Sequence, residues 1–296
     1  MMVREPAYAG QYYPAQRDTC RDEVHRLTAD APDRRSPGEP QGGVMPIGGI
    51  VPHSSWAFCG HLVAGVIREL TRVNDPQVVV LVGGTHRSRT SVAAMFGSGR
   101  WETPLGSLKI DARLAERIAG QTNLIVDDPY AHESEHGLEV ITPFIAHFLG
   151  PISILPIIVP ATGRAFEVGE AIGRTLKLYG YRALVVGTTD LTHYGPAYDF
   201  MPRGEGEAGY RWAKYENDRR FIDMVQAMRG RELVEEANRN RNASDSGAIA
   251  ATLAISNDLQ GTGAELIAHT HSREVLACGD DDLPGDTVGF ASFLLH

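Results

Sequence analysis

The run Val78-Val-Val-Leu-Val82 is a strand with no polar face. Consecutive apolar residues, mostly β-branched, must be covered on both sides, which places them at the centre of an α/β sheet. The run stops at Gly83-Gly84 and delivers His86 to the following loop. The same arrangement occurs twice more. Ile50-Val51 meets Pro52 and hands over His53, ahead of a stretch with helical apolar spacing (Leu62, Val63, Val66, Ile67, Leu70). Residues 183–186 lead through Gly187 to Asp190 and His193. In open α/β sheets, ligands collect outside the carboxyl ends of the strands. Three strands that each bring an imidazole to the same edge point to one site, and facing imidazoles are metal-ligand chemistry.

The remaining chain keeps the alternation. Strands are expected at 91–96, 106–110, 124–126, 152–159, 264–270 and 288–295. Helices are expected at 18–27, 111–119, 166–178, 209–228, 231–239 and 248–259, and residues 130–139 read as a charged helix start that leads into a further helix through 148. Residues 1–20 read as an aromatic, turn-rich loop laid over the core, and 31–43, rich in Pro, Gly and charge, as a surface loop. The predicted fold class is α/β, a single-domain three-layer arrangement with a mostly parallel central sheet and helices on both faces. No linker divides the chain, so residues 1–296 are expected to form one domain.

Composition removes several function classes. The formal charge is −9 and there is no basic block, which argues against a nucleic-acid partner. No apolar run approaches the ~20 residues of a membrane span, and the first residues turn charged at once, unlike a secretory leader. Cys20, Cys59 and Cys278 are widely spaced and odd in number, as in a reducing compartment. The expectation is a cytoplasmic protein without membrane or nucleic-acid partners.

Two stretches carry further chemistry. In Thr188-Thr-Asp-Leu-Thr-His193, Asp190 and His193 can share a cavity, with Asp190 ligating a cation or orienting a His and His193 acting as a base; the alternative is a helix cap followed by a surface His. His132-Glu-Ser-Glu-His136 fits the His-Glu-x-x-His pattern of zinc proteases literally, but Gly137 and Pro143 deny it the continuous helix that pattern needs. His269 and His271 alternate on a late strand and share a face, either solvated or part of a site. Cys59 reads as a packed small hydrophobe, and Cys278 lies in an acidic turn.

Taken together these motifs resemble the Memo family. The matching stretches are Arg4-Glu-Pro-Ala-Tyr-Ala-Gly-Gln-Tyr-Tyr-Pro14, Val51-Pro-His-Ser-Ser-Trp-Ala-Phe-Cys-Gly60, the His86 loop, Glu135-His-Gly-Leu-Glu-Val-Ile-Thr-Pro-Phe144, Thr189-Asp-Leu-Thr-His-Tyr-Gly195 and Val288-Gly-Phe-Ala. The resemblance implies a fold similar to class III extradiol dioxygenases, the non-haem iron enzymes that open catechol rings, and a pocket that binds iron or copper. It also implies a link to a radical-SAM protein in bacterial and archaeal relatives, and to cell motility and receptor peptides in animal ones. By position, His53 and His86 match the family's histidine ligands, and Asp190 and His193 its pocket Asp and base. Glu135, His136, Ser246 and Trp56 fall around the pocket. The family's pocket Cys is expected at Ser246, with Asp245 beside it. Losing a thiolate removes the soft ligand that favours copper(I). If Asp245 turns inward, two His and a carboxylate form the facial triad of iron(II) oxygenases.

The expected function is a metal-binding protein with a dioxygenase-like pocket: His53, His86 and Asp245 as ligands, Asp190 and His193 as catalytic groups. Fe(II) is the expected metal, with copper or zinc as alternatives. Rival readings are a non-catalytic module that takes a peptide or small molecule in the same cavity, and a metal-dependent hydrolase.

Overall fold

The computed structural model describes residues 2–32, 45–71, 75–86, 90–276 and 285–296. The expected acidic turn around Cys278 and most of the 31–43 loop lie outside these residues. The strands are β1 (Val3–Arg4), β2 (Gly48–Val51), β3 (Val78–Gly83), β4 (Ala93–Met95), β5 (Arg100–Thr103), β6 (Gly106–Ile110), β7 (Ile125–Asp127), β8 (Ser153–Ile158), β9 (Ala183–Thr188), β10 (His193–Tyr194), β11 (Ala264–His271) and β12 (Thr287–Leu295). They join in one sheet ordered β1-β5-β6-β8-β3-β9-β2-β12-β10, with β11 on β12 and β4 on β8 and β7.

The centre of the sheet is parallel. β3 pairs with β8 and β9, and β9 with β2, all in parallel, while β12 runs antiparallel to β2. Every residue of β3 is buried, as its unbroken apolar run requires. Because β3, β9 and β2 are neighbours in register (Val82 beside Gly187, Val51 beside Thr188), their carboxyl ends open side by side. This places the loops that start at His53, Gly84 and Thr189 along one edge.

The pleat assigns the helices to faces. Gly49 lies under Val66 of α2 (Trp56–Leu70), whereas Gly187 lies under Thr252 of α9 (Ser246–Asp258). Gly187 pairs with Ile50, the neighbour of Gly49, so the two glycines point to opposite faces. α2 therefore covers one face, packed with α1 (Arg17–Ala29) and α4 (Thr142–Leu149), and α9 covers the other, packed with α5 (Ala165–Leu178) and α8 (Leu233–Asn240). Among the described residues no helix is long and apolar enough to cross a membrane.

Three stretches differ from the expectation. The N-terminal segment is more than a covering loop, because β1 adds to β5 in parallel. The helix expected through 148 is present as α4, but the helix start expected from 130 is instead two 3₁₀ turns, Pro129–His132 and Glu139–Ile141. Glu139 is turned fully inward, and a buried carboxylate must be partnered rather than left on a helix face. The helix expected over 209–228 is interrupted by a turn of π-helix, Ala213–Asn217, between α6 (Glu207–Trp212) and α7 (Asp218–Gln226). That wider turn leaves both Asn217 and Asp218 buried, and the Asn217 amide donates to Thr192 Oγ1 and to the Asn240 carbonyl.

The first two differences share a cause. Glu139 accepts the backbone N–H groups of Ala7 and Tyr8 and the Tyr13 hydroxyl, and pairs with Arg4 at 2.6 Å. Arg4 also donates to the carbonyls of His132 and Glu135. The N-terminal segment is thus tied to residues 132–139 by a fully buried ion pair. Removing one partner strands the other charge in the core, so Glu139→Gln should cost about 3–5 kcal/mol. Urea unfolding measures this; a loss below about 1 kcal/mol would mean that the pair is not what holds the segment.

Candidate metal centre

The loop after β2 carries His53, which is buried and held from two directions. Its backbone N–H donates to Asp190 Oδ1 at 2.9 Å, and its Nδ1 lies 3.1 Å from the Thr188 hydroxyl at the end of β9. With Nδ1 engaged by the hydroxyl, Nε2 faces the cavity, where Asp245 Oδ2 stands 3.3 Å away. His86, from the loop after β3, has its backbone at the surface but its imidazole only 21% exposed. Glu135 holds it: both carboxylate oxygens accept the His86 N–H at 3.0 Å, and Oε2 lies 3.1 Å from Nδ1. A carboxylate can only accept here, so Nδ1 keeps its proton and Nε2 is the nitrogen that points inward. That Nε2 is also 3.3 Å from Asp245 Oδ2.

Two imidazoles from the ends of β2 and β3, the strands on either side of β9, thus converge on one carboxylate oxygen. Asp245 Oδ2 is buried and no hydrogen bond satisfies it. Asp245 precedes α9, and its carboxylate lies against Gly84, where a Cβ would stand 1.9 Å from Oδ1. The glycine pair that ends β3 is therefore a requirement of the pocket as well as of the turn. His136 completes the cluster, with its ring centroid 4.4 Å from His86 and 5.4 Å from His53. One ring nitrogen from each of His53, His86 and His136 falls within 4.8 Å of the others, so this His/His/His group could hold a metal ion.

The electrostatics separate the imidazoles. Burial, reinforced by the neighbouring imidazoles, outweighs Asp245 and pushes His53 well below the usual histidine range. Burial also opposes charge on His86, but Asp245 and then Glu135 overcome it and hold His86 up at about 10. In the absence of a metal, a proton on His86 serves as the counter-charge between two carboxylates. Deprotonated nitrogens and ionised oxygens are what a cation would claim from the same atoms.

The other expected residues fall as follows. Both oxygens of Asp190 are occupied, Oδ1 by the His53 N–H and Oδ2 by the Ser54 hydroxyl at 2.5 Å, while Oδ2 is 4.0 Å from His53 Nε2. Asp190 therefore positions the His53 loop. His193 Nδ1 lies 3.0 Å from the Leu191 carbonyl and must donate to it, which leaves Nε2 as an acceptor; its ring stacks edge-on with Tyr198. A second hydroxyl beside His53 belongs to Ser244, whose Oγ is 3.5 Å from Nε2 and which also donates toward Asp190 O. Ser246, the expected Cys position, instead opens α9 as a buried first-turn residue. Trp56 is part of the core, not the pocket: its indole N–H donates to the Val140 carbonyl and its ring packs on Phe144 and Tyr13. His132 and His136 share no site, since His132 is fully buried beside Phe96 and Trp101, with its Nε2–H donating to Ala94 O. The literal zinc-protease pattern has no counterpart in the structure.

Thr188 and Ser244 escaped the sequence reading. Thr188 was legible in principle, as the last residue of a strand predicted to end at the site. A cavity of about 300 Å³ opens next to the cluster, lined by Leu191, His193, Arg241 and Ser244 among others. Ser244 both lines this cavity and contacts His53.

Comparison with known proteins agrees with this arrangement of motifs. A MEMO1 family protein of Pyrobaculum aerophilum is 29% identical over the whole of both chains. One of Methanothermobacter thermautotrophicus is 30% identical over 93% of this chain and 95% of its own. Among solved structures, an uncharacterized protein of Escherichia coli K12 superposes with a TM-score of 0.52 at 12% identity, covering 86% of this chain and all of that one, which is a likeness of fold. The family model described as Memo-like protein matches residues 4–292. With nearly the full chain matched, the protein belongs to the Memo-like family.

Proposed function

We propose that the protein is a metal-dependent oxidoreductase of the non-haem iron type, acting on a small phenolic or enediol substrate that enters through the cavity beside His193. What carries this reading is the meeting of His53 Nε2 and His86 Nε2 at 3.3 Å from one buried, unsatisfied oxygen, Asp245 Oδ2. A buried carboxylate needs a cation beside it: in the metal-free protein protonated His86 fills that role, and a metal ion held by the same atoms would replace the proton. The donors fit such an ion: His53, His86 and Asp245 would hold it, with His136 close enough to join, and they are nitrogen and oxygen atoms without a thiolate. That set suits iron(II) or zinc better than copper(I). When bound, iron(II) would supply redox chemistry with dioxygen and a chelating site for adjacent substrate oxygens.

The chain's own groups have separable tasks. Glu135 fixes the His86 ring, and Thr188 and Asp190 fix His53, so that both Nε2 atoms face inward before any ligand arrives. His193 keeps its Nδ1 proton on Leu191 O and offers Nε2 to take a proton from a substrate hydroxyl in the adjoining cavity.

Protein purified anaerobically without a metal-affinity column should carry about one iron per chain, lost in the His53→Ala/His86→Ala variant. The iron-loaded form should consume oxygen with a subset of catechols. No retained iron, copper or zinc after reconstitution would sink the proposal. A second expectation concerns protons. His86, held at about 10, is charged at neutral pH, so metal uptake must expel that proton. Calorimetric titration in buffers of different ionisation enthalpy should register about one proton released per metal. The same raised value stabilises the metal-free fold fully below the ordinary histidine range of about 6.5, and that stability is lost as pH rises toward 10. Thermal melts of the stripped protein should fall over that interval, and Asp245→Asn should flatten the slope.

A further inference from the structure

Asp218, His269 and His271 form a second cluster that shares no residue with the pocket. His269 and His271 lie two residues apart on β11 and share a face of the strand. Both direct Nε2 at the same oxygen, Asp218 Oδ2, at 2.8 Å each. Asp218 and His271 are fully buried, and the His269 side chain is 14% exposed, at the rim. The other carboxylate oxygen accepts the Thr192 N–H at 3.0 Å, and His271 Nδ1 lies 3.1 Å from the Thr287 hydroxyl. Gly289 leaves room for the carboxylate: a Cβ there would stand 2.2 Å from Oδ2.

Among the described residues no Lys or Arg pairs with Asp218, although burial would demand a cation for it. Without a metal, each Nε2 must keep a proton, and both N–H groups must crowd one oxygen. A cation replaces both protons and uses the same three atoms as ligands. All three ligand atoms lie within 4.8 Å of one another, a spread that an ion with bonds of roughly 2.0–2.2 Å can close with small side-chain shifts. Two imidazoles and one carboxylate are a donor set for zinc or a similar borderline ion.

We infer that Asp218, His269 and His271 bind a divalent cation of the zinc class at a structural site. It fastens β11 to the start of α7 under the loop that carries Asp190 and His193. The π-helical turn that breaks the predicted helix is what brings Asp218 into position. His269, at the rim, provides the entry, and water completes the coordination.

The test uses the full chain, stripped with chelator and carrying His53→Ala/His86→Ala so that the first pocket does not contribute. Zn(II) loading, measured by mass spectrometry of the metal, should leave about one equivalent per chain, and Co(II) should give the intense visible bands of a low-coordinate site. Adding His269→Gln should lower retained zinc at least ten-fold with an unchanged circular dichroism spectrum. In the otherwise native chain, His269→Gln alone should remove about one equivalent and abolish part of the zinc-induced rise in Tm, which covers the case of a background variant that does not fold. No zinc in the folded background variant, or zinc unaffected by His269→Gln in both backgrounds, would overturn the assignment. Neither result bears on iron at His53 and His86.

Discussion

The parallel pairing of β2, β9 and β3 is the constraint from which the site follows. Strands in register end at the same level, so the residues just past Val51, Val82 and Thr188 are delivered to one edge whatever their chemistry. A central parallel strand must be apolar on both faces, and the polar groups such a chain needs are then confined to the loops beyond the strand ends. His53, His86 and Asp190 occupy those positions. The fold does not make them ligands, but it makes their meeting unavoidable.

Meeting in a buried place creates an electrostatic problem that the rest of the pocket resolves. Imidazoles lose charge on burial, and carboxylates resist it. Here Glu135 and Asp245 flank His86, and the result is one imidazole that holds a proton and one, His53, that rejects it. The asymmetry comes from partners: His53 leans on a hydroxyl, His86 on a carboxylate. Glu135 and His136 in turn depend on the Arg4–Glu139 pair, which anchors the segment bearing them against the N-terminus. A chain that ends a strand correctly but lacks that anchor would have no fixed place for Glu135.

What could be read from the sequence follows from how local each signal is. The strands and the His53, His86 and Asp190 positions announce themselves within a dozen residues, through apolar runs that stop at Gly or Pro. Asp245 was nameable, but whether it or a serine faced inward turns on the close approach to Gly84, which belongs to another loop. Ser246 is the first residue of α9, which begins two residues before the expected 248, and it is Ser244, ahead of the helix, whose hydroxyl stands at His53. Asp218 with His269 and His271, and Arg4 with Glu139, join residues far apart in the chain; nothing in either partner's neighbourhood signals the other. The π-helical turn at Ala213–Asn217 is of the same kind, since its cause is the set of partners that Asn217 and Asp218 find across the structure.

The loop from Asp190 to His193 is where these distant contacts bear on chemistry. Its residues are fastened one after another: Asp190 to the His53 and Ser54 donors, Leu191 through its N–H to the Gly289 carbonyl, Thr192 to Asp218. Gly289 returns a bond to the Thr192 carbonyl, and Ser244 one to that of Asp190. A loop fastened at each of these residues has little room to relax, so the direction of His193 Nε2 is fixed by the loop itself. The base role proposed for His193 would depend on such fixed direction, because proton transfer falls off steeply with misplacement. The buried Asp218 cluster lies directly behind this loop, and whatever neutralises Asp218 therefore also sets how firmly His193 is aimed.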